Sequence, residues 1–173
     1  MANTHVIFEK GIMASGQLDS HLVNVKAPAD LDNGSIIALG SLETGEVDYY
    51  TCTAPADVTA DDMYIVDAIK RILIDEKYAL DEVQDVREFY PPSGKPARAR
   101  KLMVGDTCYV SASGFSSTPT VGQYGIPANG VYTLAPATDL TGATLIAFKV
   151  ETSVTRYVGT EAVTMYKLKC VVA

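Results

Sequence analysis

Two histidines, three cysteines and a run of basic side chains are the residues of this chain whose types could do chemistry. His5 and His21 have no Cys or acidic partner at a familiar ligand spacing, so the sequence indicates neither a metal set nor an imidazole-activated nucleophile. Cys52, Cys108 and Cys170 are far apart and odd in number, which fits neither a disulfide framework nor a zinc pair. Each sits in strand-type surroundings (TCT, TCYV, KCVV), the place of a small apolar core residue. The Gly-Lys of SGKP fails as a phosphate loop: its first glycine would fall on Phe89, and Pro96 replaces the hydroxyl that would hold magnesium. Gly122, Gly125 and Gly130 share a loop with Pro127 and open no helix, so they make no dinucleotide fingerprint. Asp30, Asp32, Asn33 and Gly34 imitate part of a calcium loop, but the sixth-position glycine is missing and Ser41 stands where the closing Glu belongs. That cluster reads as a turn. With 21 acidic residues a carboxylate pair for sugar hydrolysis is a question of fold, not of spacing. The expectation is a protein with no catalytic residue, no cofactor and no metal.

The basic run is GKPARARKLMVGD, with Lys95, Arg98, Arg100 and Lys101 among only 14 Lys and Arg in a chain of net charge −7. Run as a strand, it places Arg98, Arg100 and Leu102 on one face and Lys101 on the other. Two aligned guanidiniums can hold carboxylates bidentately. Those carboxylates belong either to a partner or to this chain's own acidic segment at 75–88. Residues 57–88 hold ten acidic and four basic side chains, an asymmetry that orients association or simply solvates a face. The negative total weighs against nucleic acid as a partner. No run approaches the roughly 18 apolar residues of a membrane span, and the first residues lack the pattern of a secretory signal, which points to synthesis in the cytosol.

The elements that would position these residues are strands. A chain of 173 residues, 47% hydrophobic and 20% charged, is expected to fold around one real core. Residues 1–27 mix short apolar pieces with Gly11, Ser15 and Gly16 and predict an extended N-terminal arm. The arm carries Val6, Ile7 and Phe8, too apolar for a free tail, so it docks on its own domain or on a neighbour. Residues 28–173 then form a single β-rich domain. The turn DNG, the segment SIIALGSL, the turn ETGE and the segment VDYYTCT predict a hairpin. MYIV suits a buried strand at 63–66, with irregular or short helical structure afterwards, ending by Tyr90 before Pro91 and Pro92. The C-terminal half is rich in Val, Thr, Tyr and Ile between turn signals. In TMYKLKCVV, Met165, Lys167 and Lys169 alternate with Tyr166, Leu168 and Cys170, one face wet and one buried. The fold class is mainly β, a small barrel or sandwich with at most one or two short helices.

The order LDNGSIIALGSLETGE, YIVDAIKRILIDE and GKPARARKLMVGDTCYVSASGF resembles small head proteins of tailed bacteriophages. The likeness covers about residues 30–115 and is sharpest at Gly94-Lys95, Ala97–Ala99 and Gly105-Asp106. It implies a head decoration, cement or head-fibre protein that binds the outside of the assembled capsid. The major capsid protein would be its partner, with synthesis in the host cytoplasm, residence on the virion, and homo-oligomers, trimers included, at lattice positions. On this expectation Val6, Ile7, Phe8, Lys95, Arg98, Arg100 and Lys101 make the partner contacts. The alternative is a receptor-binding or fibre-associated module whose loops around Tyr124 and Tyr132 contact a host-surface glycan; a hydrolase of cell-wall polymer is a third.

Overall fold

Period-two alternation turns most of the predicted segments into strands. The structure, a computed structural model, describes residues 5–14, 18–68, 72–74, 77–79, 86–140 and 144–173. In chain order the strands are β1 (Phe8–Lys10), β2 (Leu22–Lys26), β3 (Ile36–Leu42), β4 (Tyr49–Thr53), β5 (Met63–Val66), β6 (Ile72–Ile74), β7 (Lys77–Ala79), β8 (Pro96–Arg100), β9 (Thr107–Ser111), β10 (Tyr124–Pro127), β11 (Leu134–Ala137), β12 (Ala147–Val158) and β13 (Glu161–Val172). Short 3-10 turns lie at Asp19–His21 and Ala112–Gly114. The chain is mainly β, with 46% strand and no helix of seven residues or more among the described residues.

Five strands close a barrel in the order β2-β4-β3-β5-β8. β3 and β4 are the predicted hairpin, antiparallel around a turn where Gly45 takes a φ of 86°, which glycine alone adopts without steric cost. Closure comes from β2, which runs parallel to β4 on one side and antiparallel to β8 on the other. Val25, Ile37, Cys52, Tyr64, Val66, Ala97 and Ala99, drawn from all five strands, form the barrel's own core. A five-stranded barrel is narrow, and the alanines of ARAR are the small side chains that β8 turns inward, with Arg98 and Arg100 on the outside.

The second layer is a six-stranded sheet in the order β1-β9-β13-β12-β10-β11. Its inner face supplies Cys108, Val110, Phe148, Val150, Tyr166, Leu168 and Cys170, which pack together with Ile36, Met63 and Ile65 of the barrel. Neighbours in β3 and β5 therefore serve different cores, Ile37 and Tyr64 facing into the barrel, Ile36 and Ile65 towards the sheet. All four residues of MYIV are buried for this reason, as a strand covered on both faces requires.

Several expectations change. Of the two dockings expected for the arm at residues 1–27, its described residues make the one on this chain's own domain: β1 is an edge strand of the sheet, paired to β9, and β2 is a barrel strand. Both layers use this segment, so the arm docks on its own chain. After β5 the described residues contain the antiparallel pair β6 and β7 where irregular or short helical structure was expected; residues 69–71, 75–76 and 80–85 of that expectation lie outside the described residues. Met165, expected on the wet face, is fully buried. It stands opposite Ser111, whose backbone N–H donates to the Ile7 carbonyl, and Ser111 and Ile7 are buried too. That end of the sheet is closed on both faces. No described helix is long and apolar enough to cross a membrane.

Candidate partner-binding surfaces

The basic run is divided between the interior and the rim. Asp67 follows β5, and its N–H donates to the Arg98 carbonyl at 2.8 Å, extending the β5–β8 pairing by one residue. This delivers the Asp67 carboxylate to the outer side of β8. Arg98 Nη2 lies 3.0 Å from Oδ2, and Arg98 Nε donates to the Asp67 carbonyl at 3.2 Å. Arg100 Nε donates to the same Oδ2, and both of these side chains are buried. Lys10 of β1 approaches that oxygen at 3.6 Å. A carboxylate shared in this way neutralises charge that would be costly to bury alone. It also links the barrel to the edge of the sheet. Arg98 and Arg100 do share a face, as alternation requires, and both bind this chain's own Asp67; residues 75–76 and 80–85 of the acidic segment expected to pair with them lie outside the described residues. Arg100, buried, offers no partner surface.

Val6 and Ile7 are likewise buried, and Phe8 is half-buried against the core between the layers. Gly114 permits this packing, because a Cβ there would meet Val110 Cγ1 at 2.4 Å and Val6 Cγ1 at 3.1 Å. His5 anchors the start of the segment: Nδ1 sits 2.7 Å from Asp32 Oδ1, and the ring stacks on Tyr90 with centroids 4.2 Å apart. These residues are committed to the fold. Lys95 is exposed at the turn before β8. Lys101 is half-exposed, 2.9 Å from Asp62 and 5.7 Å from the Tyr64 ring centroid, and its hydrogen bond to Asp62 raises its pKa.

All three cysteines are free and buried. Burial pushes the Cys52 thiol up to about 11 and the Cys170 thiol up to about 12, and holds Cys108 higher still. Thiols so protonated are poor nucleophiles and poor ligands.

Two surfaces emerge that the sequence did not single out. The first is a ribbon. β12 and β13 pair along their whole lengths, but β10 meets β12 only at Phe148 and Lys149, and β9 meets β13 only from Met165 to Lys169. From Ser153 to Val158 and from Glu161 to Thr164 the ribbon has no third strand among the described residues. It is exposed or half-buried throughout, with Tyr157 76% exposed at its end. Arg156, two residues from the end of β12, pairs with Glu9 at 3.5 Å and lies over the Tyr109 ring, and Arg87 pairs with Glu161. The β-branched residues of ETSVTRYV before Gly159-Thr160 and of EAVT after it were the available signal.

The second is the outer face of the sheet, turned away from the barrel. Lys149 of β12 and Lys169 of β13 stand directly opposite each other, with Tyr124 beside the first and Thr107 beside the second. Lys167 follows next to Tyr109 and takes the Glu151 carboxylate at 2.9 Å. That bond, reinforced by the three lysines, lowers the Glu151 pKa. The alternating KLK of β13 was the signal here.

Tyr124 and Tyr132, the tyrosines of the loops expected to contact a glycan, lie in different places. Tyr124 is on this outer face, whereas Tyr132 packs partly against the barrel core. Tyr132 lines a groove of about 340 Å³ together with Val6, Asp30, Asp32, Ser35 and Thr133. No family model, no curated protein and no solved structure matches this chain.

Proposed function

We propose that this chain is a structural protein of tailed-bacteriophage virions, one that binds the outside of the assembled capsid and decorates or stabilises it. The resemblance over residues 30–115 supplies the family. The observation that carries the binding role is the β12–β13 ribbon. A two-stranded ribbon is at best marginally stable in water by itself, and its open edges are ready-made pairing templates. A partner that covers those edges resolves both. Binding only the assembled shell would stabilise it by mass action. The contact set differs from the one expected, since the buried Val6, Ile7 and Arg100 hold the protein together while the ribbon and the exposed Lys95 and Lys101 face outward. Copy number in purified virions, by quantitative mass spectrometry against the major shell protein, tests the role. A simple ratio to the shell protein supports it, and absence from the particle ends it.

The groove beside Tyr132 favours a second reading, a module that binds a host-surface glycan, because carboxylates, hydroxyls and an aromatic ring are what a sugar site needs. Only a few copies per virion, with binding on a glycan array, would select that reading.

A further inference from the structure

Among the described residues the two most exposed large apolar side chains are Ile12 and Val47, at 84% and 83%. Each lies in a charged setting, and the settings have opposite sign. Val47 is at the β3–β4 turn of the barrel between exposed Glu46 and Asp48, with Glu43 engaged by Lys26 at 2.7 Å. Ile12 is at the edge of the sheet, its carbonyl accepting from the Thr107 N–H at 2.8 Å, and Thr107 is the cross-strand neighbour of Lys169. Beyond it lies the Lys169–Lys149 pair. Like charges directly opposite on a sheet repel, and the nearby Glu151 is taken by Lys167. Among the described residues no carboxylate pairs directly with Lys149 or Lys169, and Glu151, which feels both, is hydrogen-bonded to Lys167; the acidic turn could supply a counter-charge to the row. The turn belongs to the barrel, and the lysines lie on the face of the sheet turned away from the barrel, so the two surfaces meet between molecules.

We infer that a second copy of this chain docks head to tail, its Glu46-Val47-Asp48 turn seated on the Lys149/Lys169 face beside Ile12. The partner chemistry is an acidic turn with an apolar tip, and this chain carries one. A heterologous contact of this kind closes into a ring or runs on as a filament, according to its rotation. The contact goes beyond the capsid-binding reading and stands without it, because it is measured on the purified protein alone.

The test is sedimentation velocity of the full chain across micromolar concentrations, at about 50 mM and about 500 mM salt. The expected result is association at low salt, weakened roughly tenfold or more at high salt. Lys149→Glu with Lys169→Glu should be monomeric, as should Glu46→Lys with Asp48→Lys. Mixing the two double variants should restore association, which also shows that both are folded. A monomeric wild type, reversals without effect, or a mixture that stays monomeric would overturn the inference. Capture of polyglutamate by a lysine face that does not self-associate would overturn it in favour of another acidic partner. Virion copy number remains a separate measurement, so either idea can fail without the other.

Discussion

Asp67 and Arg100 form a buried ion pair, Nε to Oδ2, at the junction of the barrel with the edge of the sheet. Arg98 and Lys10 share the same carboxylate oxygen, so one acidic side chain organises cations from β8 and β1. This relationship changes what substitutions in the basic run report. Their first effect is on folding, and an effect on binding follows from it.

Arg100→Ala or Asp67→Ala should destabilise the protein by about 3 kcal/mol, because each removes one side of a buried ion pair. Urea denaturation measures this. Arg98→Glu together with Arg100→Glu should unfold the barrel, so it reports on folding before it reports on the proposed capsid contact. The paired change Asp67→Leu with Arg100→Met should cost less than the two single losses added together, and strict additivity would show that the pair does not act as a unit.

Ala99→Leu should cost about 1–3 kcal/mol, since Ala99 is fully buried in the five-stranded barrel and added methylenes force neighbours off their rotamers. The same change at the exposed Lys95 should stay within about 0.5 kcal/mol. Equal denaturation midpoints for the two variants would contradict the inward orientation of ARAR alanines.

The cysteines predict alkaline sensitivity with a definite sign. An ordinary thiol titrates near 9.0, whereas Cys52 and Cys170 are held up to about 11 and about 12. Above the unfolded value the native state binds more protons than the unfolded state, so stability is full below about pH 9 and falls as pH rises towards the folded values. Burial raises Tyr64 and Tyr132 as well, which acts in the same direction. Denaturation midpoints should therefore drop steadily between about pH 8.5 and about pH 10.5, less steeply in Cys52→Ala. A thiol reagent at neutral pH should label none of the three cysteines until denaturant is added.

The ribbon should behave as the least protected strand pair of the sheet. Amides from Ser153 to Thr164 should exchange with deuterium well before those from Met165 to Cys170, which lie between two neighbouring strands. Tyr157→Ala should leave the denaturation midpoint within about 0.5 kcal/mol of wild type while weakening the proposed capsid binding. Uniform protection along β13 would remove the ribbon as the docking element.

Local chemistry in the sequence determined a good deal of this protein. Alternation in TMYKLKCVV, the unbroken apolar MYIV, and the turn between SIIALGSL and VDYYTCT placed β13, β5 and the first hairpin, because a strand's period of two and a turn's need for positive φ are properties of neighbouring residues. The burial of the three cysteines was legible for the same reason. What only the tertiary structure decided is which strand lies beside which. Pairing β2 with both β4 and β8 closes the barrel, pairing β1 with β9 turns an apparent arm into a sheet edge, and the extension of β5 alongside β8 brings Asp67 to Arg98 and Arg100. The lysine row and the open ribbon arise in the same way, from where β9 and β10 stop pairing. Alternation says that a side chain points to one face or the other; which partner waits there depends on contacts between residues distant in the chain, which no local pattern encodes.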